Sequence, residues 1–164
     1  MILRFAIGLL LVALCAPLRV SAAAGAGWTD MKMLMGDWTG EGSGKPGTGT
    51  GEFSFVPELQ GKILVRHSFA DYPGARHDDL MIVYRQDDAT RADYYDSEGH
   101  VIHYAVQSDH QRIVFMSDNA SQWFKSQRSP CYRLTYTSLP DEKLRVQFEI
   151  DNKTYLDGIC RRKR

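Results

Sequence analysis

The stretch Leu34-Met35-Gly36-Asp37-Trp38-Thr39-Gly40-Glu41-Gly42 introduces a long series of short alternating segments, and its reading decides the fold. A Gly-x-Trp turn ahead of a first strand lets the indole plug one end of a small up-and-down β-barrel. The glycines around it let that strand bend sharply. The motif specifies an architecture and names neither a ligand nor a reaction.

Downstream, residues 42–49 (Gly-Ser-Gly-Lys-Pro-Gly-Thr-Gly) read as a flexible loop. Beyond them the hydrophobic pattern has period two almost everywhere. Phe53 and Phe55 alternate with Glu52 and Ser54, and Ile63, Val65, His67 and Phe69 alternate with Lys62, Leu64, Arg66 and Ser68. Residues 80–84 are apolar throughout, as in a strand covered on both sides. Residues 91–96 and 100–107 form a hairpin whose turn, Asp96-Ser97-Glu98-Gly99-His100, suits a type I turn with Gly99 at the left-handed bulge position. Strands follow at 112–116, 131–137, 143–150 and 154–161. About ten strands on short turns, with no helix long enough for a crossover, imply an all-β antiparallel up-and-down barrel. Closure is favoured because an open meander leaves two edges to manage. Ahead of the motif, residues 28–35 predict two turns of helix capped by Thr29 or Asp30, with Met31, Leu34 and Met35 on one face as a lid.

Residues 1–24 carry the layout of a secretory signal peptide. Arg4 precedes the apolar run 5–16, Pro17 follows, and Ser21, Ala22, Ala23 and Ala24 supply a small-residue cleavage region. The expected product is a single domain, 25–164, in the periplasm or secreted, with no stable membrane anchor after cleavage. It carries 18 basic residues against 20 acidic ones, and outside the final 161–164 it has no basic stripe, which argues against nucleic acid as a partner. Cys131 and Cys160 invite a disulfide in an exported chain. A regular meander, however, offsets them by about five residues, roughly 17 Å at strand rise, well beyond bridging distance.

The hairpin register tells which side chains share a face. With a Gly99 bulge, residue numbers in cross-strand pairs sum to about 196. Tyr94 then faces Ile102 and Ala92 faces Tyr104, a mostly apolar face that, with Val106, suits a lumen. Asp93 faces His103 on the other side, beside Tyr95 and Val101. That polar group is either an acid–base couple or a solvent-facing ion pair, and the ion pair is the preferred reading. Metal ligation has little support: His100 and His103 point to opposite faces, and His77-Asp78-Asp79 reads as a solvated turn before a strand. No serine sits in a nucleophile elbow. Asn119-Ala120-Ser121 and Asn152-Lys153-Thr154 match glycosylation sequons. Trp38, Tyr84, Tyr94, Tyr104, Tyr136 and Phe148 are the candidate lumen-lining residues, suited to a small apolar molecule with one or two polar handles. Other aromatic residues, Trp123 and Tyr155 among them, lie on or beside the strands.

Residues 34–42, 61–66 (Gly-Lys-Ile-Leu-Val-Arg), 78–81 (Asp-Asp-Leu-Met) and 94–102 together resemble a bacterial secreted family with a lipocalin-like (calycin) β-barrel, to which no activity is assigned. The resemblance runs from Leu34 to the C-terminus and implies the fold more than the function. A more distant similarity is to nitrobindin, a haem-binding barrel with the same Gly-x-Trp-x-Gly-x-Gly opening. Its haem histidine near the C-terminal strand has no counterpart after His110 here, so haem would need His67, His103 or another ligand from a different wall, for which Tyr155 is one candidate. Barrels of this kind often pack a late arginine over the motif Trp, and Arg161 is the expected residue.

The leading expectation is an exported, non-catalytic protein, without a cofactor, that binds a small apolar or amphipathic molecule in its lumen. The rivals are haem or nitric-oxide chemistry, an enzyme using Asp93, His103 and Tyr95, and a filled structural barrel of the envelope.

Overall fold

A computed structural model describes residues 27–109, 111–117 and 130–163. The signal peptide expected over 1–24, Trp123 and the sequon at 119–121 lie outside these residues. A 3-10 helix, Thr29–Leu34, leads into β1 (Gly36–Gly44), β2 (Gly47–Glu58), β3 (Ile63–Tyr72), β4 (Ala75–Gln86) and β5 (Ala89–Asp96). Then follow β6 (Val101–Ser108), β7 (Arg112–Ser117), β8 (Tyr132–Leu139), β9 (Lys143–Ile150) and β10 (Lys153–Arg162). All ten strands pair antiparallel with their sequence neighbours, and β10 returns to β1 to close the barrel. Among the described residues no helix is long and apolar enough to cross a membrane.

Three local expectations are corrected. The N-terminal helix is a single 3-10 segment, without a side-chain cap from Thr29 or Asp30. With three residues per turn, Met31 and Leu34 align and are both buried. Asp30 instead pairs with Arg85 at 2.7 Å and accepts a hydrogen bond from Ser108. The glycine-rich segment 42–49 is not a loop. It is a hairpin in which only Lys45 and Pro46 leave the ladder, and Gly47, at φ +108°, takes the left-handed conformation the turn needs. Residues His77, Asp78 and Asp79 lie within β4 rather than in a turn before it.

The hairpin register stands as read. Asp93 pairs with His103, Tyr94 with Ile102 and Ala92 with Tyr104, with Gly99 at φ +89°. Where β10, β1 and β2 meet, the backbones approach closely. A Cβ on Gly40 would sit 2.5 Å from both the Ile159 carbonyl oxygen and Cys160 Sγ, so only glycine permits this bend.

One end of the barrel is solid. Trp28, Met31 and Leu34 of the 3-10 segment pack with Phe55, Leu64, Val83, Ile113, Phe115, Tyr136 and Leu144 in one buried cluster. Trp28 donates its indole N–H to the Gly61 carbonyl at 3.0 Å, and Arg85 lies over its ring at 4.9 Å. Trp38, 2 % exposed, stacks on Phe53 at 6.0 Å and donates to the Leu34 carbonyl at 2.9 Å. The guanidinium over its ring belongs to Arg162, at 4.5 Å, and not to Arg161. In register, Arg162 faces Trp38 and Arg161 faces Thr39, so alternation brings only Arg162 to the indole side. An irregularity between Thr154 and Leu156 shifts the phase of β10.

Cys131 and Cys160 are both free thiols. Cys160 pairs with Gly40 and Leu144, whereas Cys131 lies before β8, its N–H bonded to Asp151. Burial pushes the Cys160 thiol up to about 11, leaving it protonated and unreactive at pH 8. Alkylation of the folded protein at pH 8 is therefore expected to spare Cys160. After denaturation without reductant, peptide mapping should find both positions labelled; a bridged pair would stay unlabelled at both.

Candidate functional site

Above the solid end the interior turns polar, and the reason lies in the phase of β3. Leu64, Arg66 and Ser68 face inward while Ile63, Val65, His67 and Phe69 form the outer face, the reverse of what hydrophobicity along that strand suggests. Outside, Val65 lies between Val56 and Ile82 in cross-strand register and is only 5 % exposed, so these apolar side chains shelter one another.

Arg66 is the centre of the interior polar group. Its Nη1 lies 3.0 Å from Asp79 Oδ1, and both side chains are at least nine-tenths buried. Nη2 donates to Ser68 Oγ at 2.9 Å, and the guanidinium lies over the Phe53 ring at 5.6 Å. Burial alone would lower the Arg66 pKa. The Asp79 carboxylate, with smaller contributions from Tyr136, Tyr94 and Tyr104, outweighs it and holds the guanidinium charged. The satisfaction of this group is incomplete. Arg66 Nε and the Tyr136 hydroxyl have no hydrogen-bond partner among the described residues, and the Asp79 Oδ1 contact is an ion-pair approach off the hydrogen-bonding direction. Burial raises the pKa of Tyr94, Tyr104 and Tyr136, so all three are neutral phenols able to donate.

Arg66 and Ser68 border an interior cavity of about 90 Å³. The small-residue seam Gly40, Gly42, Gly49, Gly51 and Gly158 forms much of its wall, with Phe53, Val146 and Leu156 on the inner side and Glu41, Thr50, Glu52 and Phe69 where it reaches the outer face. A groove of about 390 Å³ is larger, but it opens on the outer wall, lined by Asp37, Glu52, His67, Phe69, Asp78 and Lys163 along with a few interior residues. There Lys163 is already paired with Glu52 at 2.7 Å. Of the two, the smaller cavity is the one that borders Arg66.

The sequence-derived lining residues separate into three groups. Trp38, Tyr104 and Tyr136 are in the packed core, where Tyr136 meets Phe53, Phe55 and Phe115 edge-on at 5.7 to 5.9 Å. Tyr94 and Phe148 lie towards the other end. Tyr94 hydrogen-bonds to His77 Nε2 at 2.9 Å, and Phe148 stacks on Tyr132 and meets Tyr155 edge-on. Tyr84 is not in the lumen: it alternates with buried Val83 and its hydroxyl donates to Asp93 on the outer wall.

Asp93, Tyr95 and His103 are on the same outer wall. His103 Nδ1 lies 2.7 Å from Asp93 Oδ1 with its side chain 55 % exposed, and Tyr95 is also exposed. This is a solvated pair with no enclosed space for a substrate. His67 points outward as well, and a 90 Å³ void cannot receive a haem macrocycle without moving packed side chains.

Arg66 and Asp79 are the residues that sequence reading missed as a site. Their signal was present in the register, since Trp38 pairs with Phe53, Phe53 with Ser68 and Ser68 with Asp79. Carrying the inward phase of Trp38 across those pairs puts Ser68, Arg66 and Asp79 inside. No protein-family model matches the chain, and neither does any curated protein.

Proposed function

We propose that this is an exported, non-catalytic, lipocalin-like binding protein that holds a small apolar or amphipathic molecule in its interior. The observation that carries this reading is the cavity between the glycine seam and Arg66, bordered by a buried guanidinium whose Nε is unpartnered. A buried donor without an acceptor costs roughly 1–3 kcal/mol, and a ligand oxygen placed against Nε would remove that cost. Asp79 already balances the charge of Arg66, so a carbonyl or hydroxyl serves as well as a carboxylate. Val146, Leu156 and Phe53 would hold the apolar remainder. The solid end limits the ligand to the upper half of the barrel and to a small size. Export rests on the signal-peptide layout of 1–24, and the lipocalin-like assignment on the Gly36-Asp37-Trp38 opening, whose indole plugs one end.

The test is native mass spectrometry of the protein isolated from the cells that make it, with Val146→Phe prepared in parallel. Val146 points into the cavity from β9, and a phenyl ring there fills it. The wild type is expected to carry a small extra mass that is lost on denaturation, and the variant to lack it while remaining folded. An extra mass retained in full by Val146→Phe would place the ligand elsewhere and sink this reading.

A further inference from the structure

At the opposite end of the barrel from the 3-10 segment, β4 and the β5–β6 turn bring together residues that the lumen does not use. His77 Nδ1 lies 3.1 Å from Glu98 Oε1. Ligand atoms of His77, Asp96 and Glu98 all lie within 4.8 Å of one another. His100 Nδ1 is 2.9 Å from Asp96 Oδ2 and 3.8 Å from Glu98 Oε2. We propose that His77, Asp96 and Glu98 form a binding site for a divalent transition-metal ion of the zinc type at the barrel mouth, with His100 as a fourth donor.

The argument rests on spacing, donor chemistry and support. Four N/O donors around a tetrahedral ion at about 2.1 Å are about 3.4 Å apart, and the spacings of 2.9, 3.1 and 3.8 Å bracket that value. The His77, Asp96 and Glu98 atoms close within 4.8 Å, so the donors reach the ion by drawing inward through side-chain rotation, with His100 joining from the Asp96 side. Two carboxylates supply the charge a divalent ion needs, and the imidazoles turn preference away from calcium and magnesium, which favour all-oxygen sites. The donors are also held in place. Asp96 is 4 % exposed, and its Oδ1 accepts the backbone N–H groups of Glu98 and His100 at 3.0 and 2.9 Å, leaving Oδ2 to face the cluster. His77 is oriented through its other nitrogen, Nε2, which is 2.9 Å from the Tyr94 hydroxyl. With the proton on Nε2 that contact fixes the tautomer with a free Nδ1 lone pair, the outer-shell support typical of metal-bound histidine. The sequence groups His77 with Asp78 and Asp79, but strand alternation removes only Asp78; Asp79 shares the inward face with His77, whose Nε2 is 3.8 Å from its Oδ2, and is held by Arg66. Asp78 faces outward against Arg76, while Asp79 points inward to Arg66.

The experiment titrates Zn²⁺ into the untagged, chelator-washed full chain by calorimetry and records the visible absorption of Co²⁺ in the same protein. One saturable site per chain is expected, with a tetrahedral or five-coordinate Co²⁺ spectrum. Glu98→Gln, at an exposed turn position where folding is not at risk, should weaken Zn²⁺ binding roughly tenfold or more. His77→Ala should do the same, and Asp78→Asn should leave it unchanged. No saturable Zn²⁺ binding, or binding unaltered by both Glu98→Gln and His77→Ala, would overturn the site and reduce the cluster to mutual ion pairs. Val146→Phe is expected to bind Zn²⁺ normally, so this result and the lumen-ligand result can fail separately.

Discussion

Arg66→Met is expected to lower the stability of the barrel by about 3–5 kcal/mol, read as a fall in the urea midpoint without a change of slope. Asp79 is 6 % exposed, and among the described residues the other side chain with a nitrogen within 4 Å of its carboxylate is His77, whose Nε2 is 3.8 Å away. Removing the guanidinium strands a carboxylate in the interior, and the cost comes from that stranded charge more than from the lost attraction. Asp79→Asn should be costly for the mirrored reason, since it leaves a buried cation facing a neutral amide. The double variant Arg66→Met/Asp79→Asn removes both charges and should recover most of the loss. A single-variant loss below about 1 kcal/mol, in the range of solvent-exposed pairs, would show that water reaches this group freely. Additive losses in the double variant would show that the two residues do not act as a pair.

That a charged pair fills the interior also explains how far the fold and site were legible in the sequence. Strand count, closure and the hairpin register follow from period-two patterning and from the turn chemistry of Gly99, both local signals that tertiary packing did not override. Two misreadings share another cause. The segment 42–49 reads as a loop because glycine weakens a strand, whereas here a Cβ at Gly44 would collide with the β10 backbone. The inward phase of β3 was hidden because its polar set, Arg66 and Ser68, faces the lumen, while Val65 and Ile63 line an outer wall rich in apolar neighbours. Hydropathy assigns the apolar set to the core whenever a strand is read alone. Only the register carried over from Trp38 through Phe53 corrects it. The metal cluster was illegible for a related reason. Asp96, Glu98 and His100 share one turn, but His77 lies some twenty residues earlier on the neighbouring β4, and only the register of β4 with β5 brings it to them.

Trp38→Ala is the second large effect, an expected loss of about 3–5 kcal/mol. The side chain is almost wholly buried, so truncation leaves a cavity bordered by Phe53, which stacks on it with the ring planes 17° apart. It also frees the Leu34 carbonyl that accepts the indole N–H, and that carbonyl terminates the 3-10 segment. Trp38→Phe separates the two contributions, since it keeps part of the packing and removes only the donor. Its loss should be nearer 1–3 kcal/mol. Arg162→Met should cost less still, about 0.5–1 kcal/mol for a cation–π contact at an exposed site. Because Arg162 acts on the same indole, Trp38→Ala/Arg162→Met should be hardly worse than Trp38→Ala alone, a coupling that equilibrium denaturation of the four proteins measures directly. If Arg162→Met proved as damaging as Trp38→Ala, the β1–β10 seam would owe its closure to the C-terminal strand and not to the motif tryptophan. The seam matters beyond stability. β1 and β10 provide Gly40, Gly42 and Gly158 to the interior cavity, so a variant that loosens their pairing should admit water beside Arg66 and weaken the lumen as a binding site before the barrel unfolds.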